Sequence, residues 1–593
     1  LRLKRYILAG LSGVLMVLGF PGINLSYLAW VALVPLLVSV YDANWKQSLK
    51  LGLVAGIIYF GGTMNWLMAL HPFSTLFWVM LGFAALILYL SSYVFIFTVS
   101  VNFVTRCWIL DARYRRPASS SGCLAYSFLV AVVWTGLEIL RGRLATGLPW
   151  AGLGHTQWDN LPLIQISSFT GMYGVTFLIA MINGTIANFL IDIRRWRSSL
   201  KSAVVPFALL IASLVYGWLA LSGSPQGEKV KIELVPGNIR QMEKLRSWGR
   251  AEWIFDRYAC ITELAAAEKP DIIVWPETSV PQYTFLSGTA PSELRYLVQR
   301  WNAYFLIGTP HTERHPERKT YNAAFLLSPA GEEIDRYYKI HLVPVSEYFP
   351  MKRYLPDSWQ KLVTGVSDWD MGSRYTVFSA PPAKFGVVIC FESVFPELFR
   401  KFVSKGVNLM GIITNDAWFR GTYAPEQHYS MAPFRAVENR VAVFRCANYG
   451  ISCIIDPWGR TSRKVEAELL FSIKLGKHDP RSDLDGRAVP EILKQAFADH
   501  GYLLSQNATV RAAKAGTSWL ITDNGKGYSI WKERDKKLDV YEEKYLVGEV
   551  FLRQGGTFYT RHGDYLPWAC LTIATFLVFQ TWWYRRRSQF LLH

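Results

Sequence analysis

Residues 51–105 form a run of 55 positions without a single Asp, Glu, Lys or Arg. So long an apolar run is costly to expose to water, whereas about 20 apolar residues suffice to cross the hydrocarbon core of a bilayer. The run is read as two spans, 51–70 and 76–105, with five more before residue 223: 6–22, 25–41, 122–140, 162–191 and 203–222. An eighth, 566–584, lies near the far end of the chain. The first half is therefore expected to be a polytopic α-helical membrane domain, with about 8 spans over the whole chain. Arg2, Lys4 and Arg5 precede the first apolar segment as they would in a signal peptide. No small-residue cleavage site follows and another span begins almost at once, so the segment is read as an anchor.

Orientation follows from the cations, which favour cytoplasmic loops. With the N-terminus inside, the inner loops hold Lys46 and Lys50, then Arg106, Arg113, Arg115 and Arg116, then Arg194, Arg195, Arg197 and Lys201. The eighth span ends in Arg585, Arg586 and Arg587, while the outer loop 71–75 has no Lys or Arg and only Arg141 and Arg143 break the pattern. Residues 223–565 are thereby expected outside the cytoplasm, tethered at both ends. The formal charge of +18 divides accordingly: 223–565 hold 45 of the 63 basic and 40 of the 45 acidic groups. Most of the excess is a topology signal, not a nucleic-acid footprint.

One outer segment mixes charge with aromatic residues: Glu138, Arg141, Gly142, Thr146, Gly147, Pro149, Trp150 and Gln157. Arg141 falls at i+3 from Glu138, on the same helical face. That spacing favours an interfacial ion pair with Trp150 as a headgroup anchor over a lipid-entry rim.

From residue 229 short apolar runs alternate with turns and amphipathic stretches such as 251–268 and 291–302. Strands are expected at Val230–Val235, Asp271–Trp275, Tyr304–Gly308, Asn322–Ser328, Phe385–Cys390, Leu409–Thr414, Val441–Cys446 and Cys453–Asp456. The mixture predicts a layered α/β domain. Reactive groups close three segments: Glu277 after Asp271–Pro276, Lys339 after Asp335–Tyr338, and Cys390 after Phe385–Ile389. Singly, each has a commonplace reading as a solvated carboxylate, a surface ammonium or a small core residue. Together they form a working set. A free thiol is mostly protonated near neutral pH and needs a base. Glu277 would take its proton, the Cys390 thiolate would attack a carbonyl, and the Lys339 ammonium would stabilise the oxyanion.

The trio resembles the Glu-Lys-Cys triad of the nitrilase (carbon–nitrogen hydrolase) superfamily. Asn415-Asp416-Ala-Trp418-Phe419, Arg435-Ala-Val-Glu-Asn-Arg440, Asn448-Tyr-Gly450 and Asp456-Pro-Trp-Gly459 extend the likeness. With the spans, segment 138–157 and Gly555–Asp564 included, the chain is similar to the apolipoprotein N-acyltransferase family over roughly 1–465 and 544–587. The resemblance implies an αββα sandwich and transfer of a phospholipid acyl chain, through a Cys390 thioester, to the α-amino group of a diacylglyceryl apolipoprotein. It implies Glu277 as base, Lys339 as oxyanion stabiliser and Cys390 as nucleophile. Glu347 becomes a second acid near the thiol, with Glu392 beside it, and Trp248 stands about where the family has a functional tryptophan. It calls for no cofactor, no metal and no nucleic acid, and it places the enzyme in the bacterial inner membrane with its catalytic domain on the periplasmic side. Two departures stand out: Phe391 replaces the tyrosine usual after the nucleophile, and Arg420 precedes the glycine usual after Trp418-Phe419.

The expected organisation is a seven-span domain at 1–222, a catalytic domain at 223–467, an inserted α+β module at 468–543, a return segment at 544–565 and a last span with its tail at 566–593. In the insertion, Asp479–Arg487 reads as linker and Pro490–His500 as helix; strands follow at Thr509–Ala513, Ser518–Thr522, Tyr528–Lys532 and Leu538–Tyr541, with a hairpin turn at Asp523–Gly527. Residues 349–369 read equally as a lid over the site or as a surface excursion. Cys107, Cys123, Cys260, Cys446, Cys453 and Cys570 fall in or near spans, amphipathic stretches or apolar strands, and nothing pairs them. A membrane-anchored amidase, passing its acyl group to water, is the main alternative. A transporter is disfavoured because no span carries a central cluster of ionisable residues.

Overall fold

The computed structural model describes residues 2–106, 119–223, 226–245, 251–265, 268–280, 292–313, 318–349, 369–465, 468–474, 491–499, 502, 504–505, 508–512, 518–523, 526–532, 537–543 and 545–590. Helices α1 (Arg2–Gly19), α2 (Val34–Val40), α3 (Trp45–Thr63), α4 (Leu76–Val104), α5 (Ser120–Arg143), α6 (Met172–Ile191) and α7 (Trp196–Leu221) form a bundle with the C-terminal helix Tyr565–Phe590. Asn44 starts α3 with a capping box: it accepts from the Gln47 backbone while the Gln47 side chain accepts from its own N–H. Among the described residues, five helices are long and apolar enough to cross a membrane: α4 to α7 and the C-terminal one. A sixth is counted if α3 and the 3-10 turn Asn65–Phe73, bent by 52°, make one span.

The expected count of eight is not reached on that criterion. The segment expected at 25–41 is broken into a 3-10 turn, Ser26–Trp30, and the short α2, with Pro35 in its first turn. Residues 161–170 form two short turns ahead of α6, so that span begins ten residues later than hydropathy placed it. Proline removes a backbone donor and starts helices afresh, which a sum of hydropathies does not register. Packing nevertheless fixes directions. A side chain on Gly13 would strike Ala55 and Ile58, and one on Gly62 would strike Val17. Helices α1 and α3 thus run side by side in the same direction, and the chain between them doubles back. Helices approach closely where the residue is small: Gly52 and Gly56 admit α4, Gly184 admits α5, and Gly136 admits the C-terminal helix.

The second half is the α/β domain, built on two six-stranded sheets. The first holds β1 (Lys229–Leu234), β2 (Ile272–Trp275), β3 (Tyr304–Glu313), β4 (Lys319–Leu327) and β5 (Glu333–Tyr338), with Leu546–Phe551 antiparallel along the free edge of β1. The second holds β6 (Phe378–Ala380), β7 (Ala383–Ile389), β8 (Leu409–Thr414), β9 (Ala442–Ala447), β10 (Ser452–Ile455) and β11 (Thr461–Val465). Ile232, Ile272, Leu306 and Leu326 of one sheet share a core with Val387, Ile412 and Val443 of the other. The Cys446 thiol donates to the Val274 carbonyl across that interface at 3.3 Å.

On the outer face of the first sheet, Ile273, Trp275, Phe305 and Phe325 pack under α8 (Ala251–Ala265) and α9 (Ser292–Trp301), with Tyr258 stacked on Trp275. The second sheet is covered by α10 (Pro396–Val403) and α11 (Ala432–Asn439). Every residue of α11 is buried, charged ones included. The reason is that the bundle covers its other side: Glu438 accepts from the Met172 backbone at the start of α6, 3.0 Å away, and Arg440 donates to Gln165 at 2.5 Å.

A third sheet of five strands is built from Glu468–Lys474, Thr509–Ala512, Ser518–Asp523, Lys526–Lys532 and Lys537–Glu543, with a helix at Glu491–Asp499. The linker expected at Asp479–Arg487, the tip of the hairpin turn (524–525), Cys107, Arg113, Arg115 and Arg116 lie outside the described residues.

The crossing of α5 with the C-terminal helix is tight, since a Cβ on Gly136 would lie 2.7 Å from the Leu571 Cα. Gly136→Val is expected to destabilise the bundle by about 1–3 kcal/mol, read as a lower melting temperature in detergent. An unchanged melting temperature would contradict this packing.

Candidate active site

Strands β2 and β5 point the same way within the first sheet, because each pairs in order through β3 and β4. Their carboxyl ends therefore meet at one edge, and these ends carry Glu277 and Lys339. Cys390 follows β7 of the facing sheet and opens a 3-10 turn, Cys390–Val394. Its φ is +53°, in the left-handed region that a residue with a Cβ occupies at a cost. The sharp turn ends the strand and leaves Cys390 half-buried.

Lys339 is 1% exposed. Its ammonium lies 2.8 Å from Glu347 Oε1 and 3.8 Å from Glu277 Oε1. Asn322, from β4, donates to both carboxylates, at 2.7 Å to Glu277 and 3.2 Å to Glu347. Burial opposes the lysine's charge, but the two carboxylates outweigh it and hold its pKa above the ordinary value. Burial raises the Glu277 carboxyl, with Lys339 opposing. Burial and the nearby Glu277 also push the Cys390 thiol up, again against Lys339. The resting set is a protonated thiol beside a buried carboxylate and a fixed ammonium. Such a set can remove a proton from sulfur and stabilise a developing oxyanion.

The supporting residues divide. Glu347 joins the cluster, its second oxygen accepting from the Val343 backbone at 2.8 Å. Glu392 acts elsewhere: its carboxylate accepts from Tyr337 Oη at 2.8 Å and from the backbones of Ile340 (2.7 Å), His341 (3.0 Å) and Ile389 (2.7 Å). It ties the end of β7 to the loop after Lys339. Trp248 and residues 350–368, nearly all of the expected lid, lie outside the described residues. Phe391, in place of the usual tyrosine, packs with Phe395 at 5.2 Å and with the His341 ring at 5.9 Å. Arg420 stands over the Tyr449 ring at 4.8 Å.

Segment 138–157 corrects its expectation. Glu138 accepts from Trp134, Thr176 and the Leu153 backbone, and Arg141 donates instead to the Ala151 carbonyl. Sharing a helical face does not make a pair when the loop after the helix folds back to supply donors. Nor does Trp150 sit among headgroups. It is buried, donates to Gln427 at 2.9 Å and lies tilted over His428 at 5.6 Å. The segment is wedged under the α/β domain, close to the loop after Lys339: the Thr146 backbone is hydrogen-bonded to His341.

Several residues at the site were not singled out by sequence. Asn322 lies within a strand buried continuously from Tyr321 to Leu327, with no visible mark of function. Lys244, buried, donates to the Glu277 carbonyl at 3.1 Å, and burial pushes its ammonium down to about 7. Asp416 was seen only as part of a motif, and its partner His428 is twelve residues away. No periodicity announces such pairings.

Two family descriptions match the chain: the apolipoprotein N-acyltransferase N-terminal domain over residues 12–185 and carbon-nitrogen hydrolase over residues 238–468. The chain is 36% identical over 484 residues to an apolipoprotein N-acyltransferase of Geobacter metallireducens, covering 80% of this chain and 90% of that protein. It is 28% identical to one of Chlorobaculum tepidum, covering 77% and 88%. A nitrilase-superfamily structure from Saccharomyces cerevisiae aligns at 22% identity and a TM-score of 0.31, covering 41% of this chain and 89% of that one.

Because Glu392 uses both oxygens only as acceptors, Glu392→Gln forces an N–H toward a backbone donor. The substitution is expected to cost about 1–3 kcal/mol of stability and to cut turnover more than tenfold. A variant with parental melting temperature and turnover would show that this tie is dispensable.

Proposed function

The chain belongs to the apolipoprotein N-acyltransferase family, and from that premise we propose how its residues carry out lipoprotein N-acylation. The observation that carries the proposal is the buried ammonium of Lys339 held between Glu347 and Glu277 at the strand edge that Cys390 faces. In the first half-reaction Glu277 takes the thiol proton as Cys390 Sγ attacks the acyl ester carbonyl of a phospholipid. Lys339 stabilises the tetrahedral oxyanion. Collapse breaks the ester C–O bond, and protonated Glu277 returns its proton to the departing oxygen, leaving a thioester and a lysophospholipid.

In the second half-reaction the neutral α-amino group of an S-diacylglyceryl-cysteine attacks the thioester. Glu277 accepts the nitrogen's proton, the C–S bond breaks, and the proton returns to sulfur. One base thus serves both directions of a ping-pong cycle. Glu347 keeps Lys339 in place while Glu277 changes charge, so the ammonium is never left unpaired in a buried site.

The lipid nature of both substrates suits a site built against the bundle, near Thr146 and Trp150. We place the α/β domain outside the cytoplasm of a bacterial inner membrane, with residues 223–565 on the periplasmic side. The cation pattern supports that placement through Lys46, Lys50, Arg194 and Arg197, and through Arg585, whose guanidinium lies over Phe103 at the last turn of α4.

Purified protein given phospholipid with a labelled acyl chain and a diacylglyceryl peptide is expected to yield N-acyl peptide and lysophospholipid; Cys390→Ala should yield neither. Free fatty acid as the sole labelled product would overturn transfer in favour of hydrolysis. Since burial raises the Glu277 carboxyl, transfer should fall with acidity from a pH above the ordinary glutamate range. Lys244→Met removes a charge that lowers that pKa, so the acid limb should move to higher pH. A limb that stays in place or moves down would exclude Glu277 as the base.

A further inference from the structure

Next to Cys390 lies a buried chain of polar groups that the two half-reactions do not use. His428 Nε2 stands 2.7 Å from Ser393 Oγ and 3.2 Å from the Cys390 carbonyl oxygen. His428 Nδ1 stands 3.0 Å from Asp416 Oδ1, and the other Asp416 oxygen is paired with Arg445 at 2.7 Å. The Thr414 hydroxyl donates to Asp416 Oδ1 at 3.1 Å and is also hydrogen-bonded to the Cys390 thiol. Ser393, Asp416, His428, Thr414 and Arg445 are all buried.

Burial would raise the Asp416 carboxyl, but Arg445 and His428 hold it down to about 2. It is therefore ionised, and His428 Nδ1 faces both this carboxylate and the Arg445 guanidinium, 3.1 Å away. His428 Nε2 is shared between the Ser393 hydroxyl and the Cys390 carbonyl oxygen. Ser393 lies three residues after Cys390, one turn further along the same 3-10 element, where side chains eclipse. The network grips Cys390 at both ends: its sulfur through Thr414, and its strained backbone through His428 and Ser393.

We propose that Thr414, Asp416, His428 and Ser393 form a positioning clasp that holds the Cys390 thiol toward Glu277 and keeps it protonated until a substrate carbonyl arrives. The charges acting on the thiol are those of Glu277, Lys339 and Asp416. Asp416 opposes thiolate formation more than the Thr414 hydrogen bond favours it, so the clasp restrains the free thiol's reactivity while fixing its direction. Orientation and restraint have opposite consequences for two reactions of the same sulfur, and this separates the clasp from a merely structural network.

The inference rests on Cys390 being the nucleophile, and alkylation reads that thiol without any lipid. In full-length protein, Asp416→Asn should move the pH profile of Cys390 alkylation by iodoacetamide down by about one unit, while slowing thioester formation about a hundredfold. Thr414→Val should slow thioester formation at least tenfold with KM for phospholipid within about threefold of the parent, and Thr414→Ser should restore it. If Asp416→Asn does not fold, the Thr414 pair decides. The clasp is refuted if the alkylation profile stays put or moves up, or if Thr414→Val forms thioester at the parental rate. Parental protein that alkylates at Cys390 yet forms no thioester would refute the acyltransferase reading instead.

Discussion

Lys339 places a full positive charge in a site with almost no solvent, and the surrounding architecture answers that constraint. An isolated buried ammonium would shed its proton. Two carboxylates prevent this, and Asn322 holds both of them in register. The arrangement needs β2, β4 and β5 adjacent in one sheet, with β7 presented from the other, so the sandwich must form before the charges can coexist. Removal of one carboxylate would leave the others mismatched, as is general for buried ionic clusters.

The same logic joins the α/β domain to the bundle. Helix α11 is buried on all sides and carries Arg435 and Glu438, which pair with each other at 3.2 Å while Glu438 also caps the start of α6. Gln427 accepts from both Trp66 and Trp150, and Arg143 pairs with Glu397 and Asp564. Polar groups at such a seam have one satisfactory arrangement, so they fix how the catalytic edge meets the lipid-facing helices. A loose hinge would not deliver the acyl ester to a thiol on so short a turn.

Much of this was legible in the sequence. All eight strands expected between 229 and 456 formed, most within two residues, because each is a short apolar run bounded by turns. Strand β3 ran on to Glu313 and β4 began at Lys319, since their pairing extends beyond the apolar stretch. The edge strands β5, β6 and β11 are more polar and were not expected as strands. Glu277 and Cys390 stood out because each closes an expected strand, and Lys339 because it closes the segment Asp335–Tyr338. What the sequence concealed are groups brought together from afar: Asn322 on Glu277, Lys244 behind it, His428 on Asp416. The error at segment 138–157 is of the same kind. Glu138 and Arg141 satisfied a helical spacing rule, yet the loop 151–153 took both as partners.

The central claim is that an acyl group rests on Cys390 between donor and acceptor. Its most direct test is mass spectrometry of the protein after incubation with phospholipid alone, followed by digestion and mapping of the modified peptide. The account predicts one acyl mass on the peptide containing Cys390, removed by neutral hydroxylamine and cleared when the diacylglyceryl peptide is added. An acyl group mapped to Ser393 or to another peptide, or transfer proceeding with no adduct on Cys390, would contradict it.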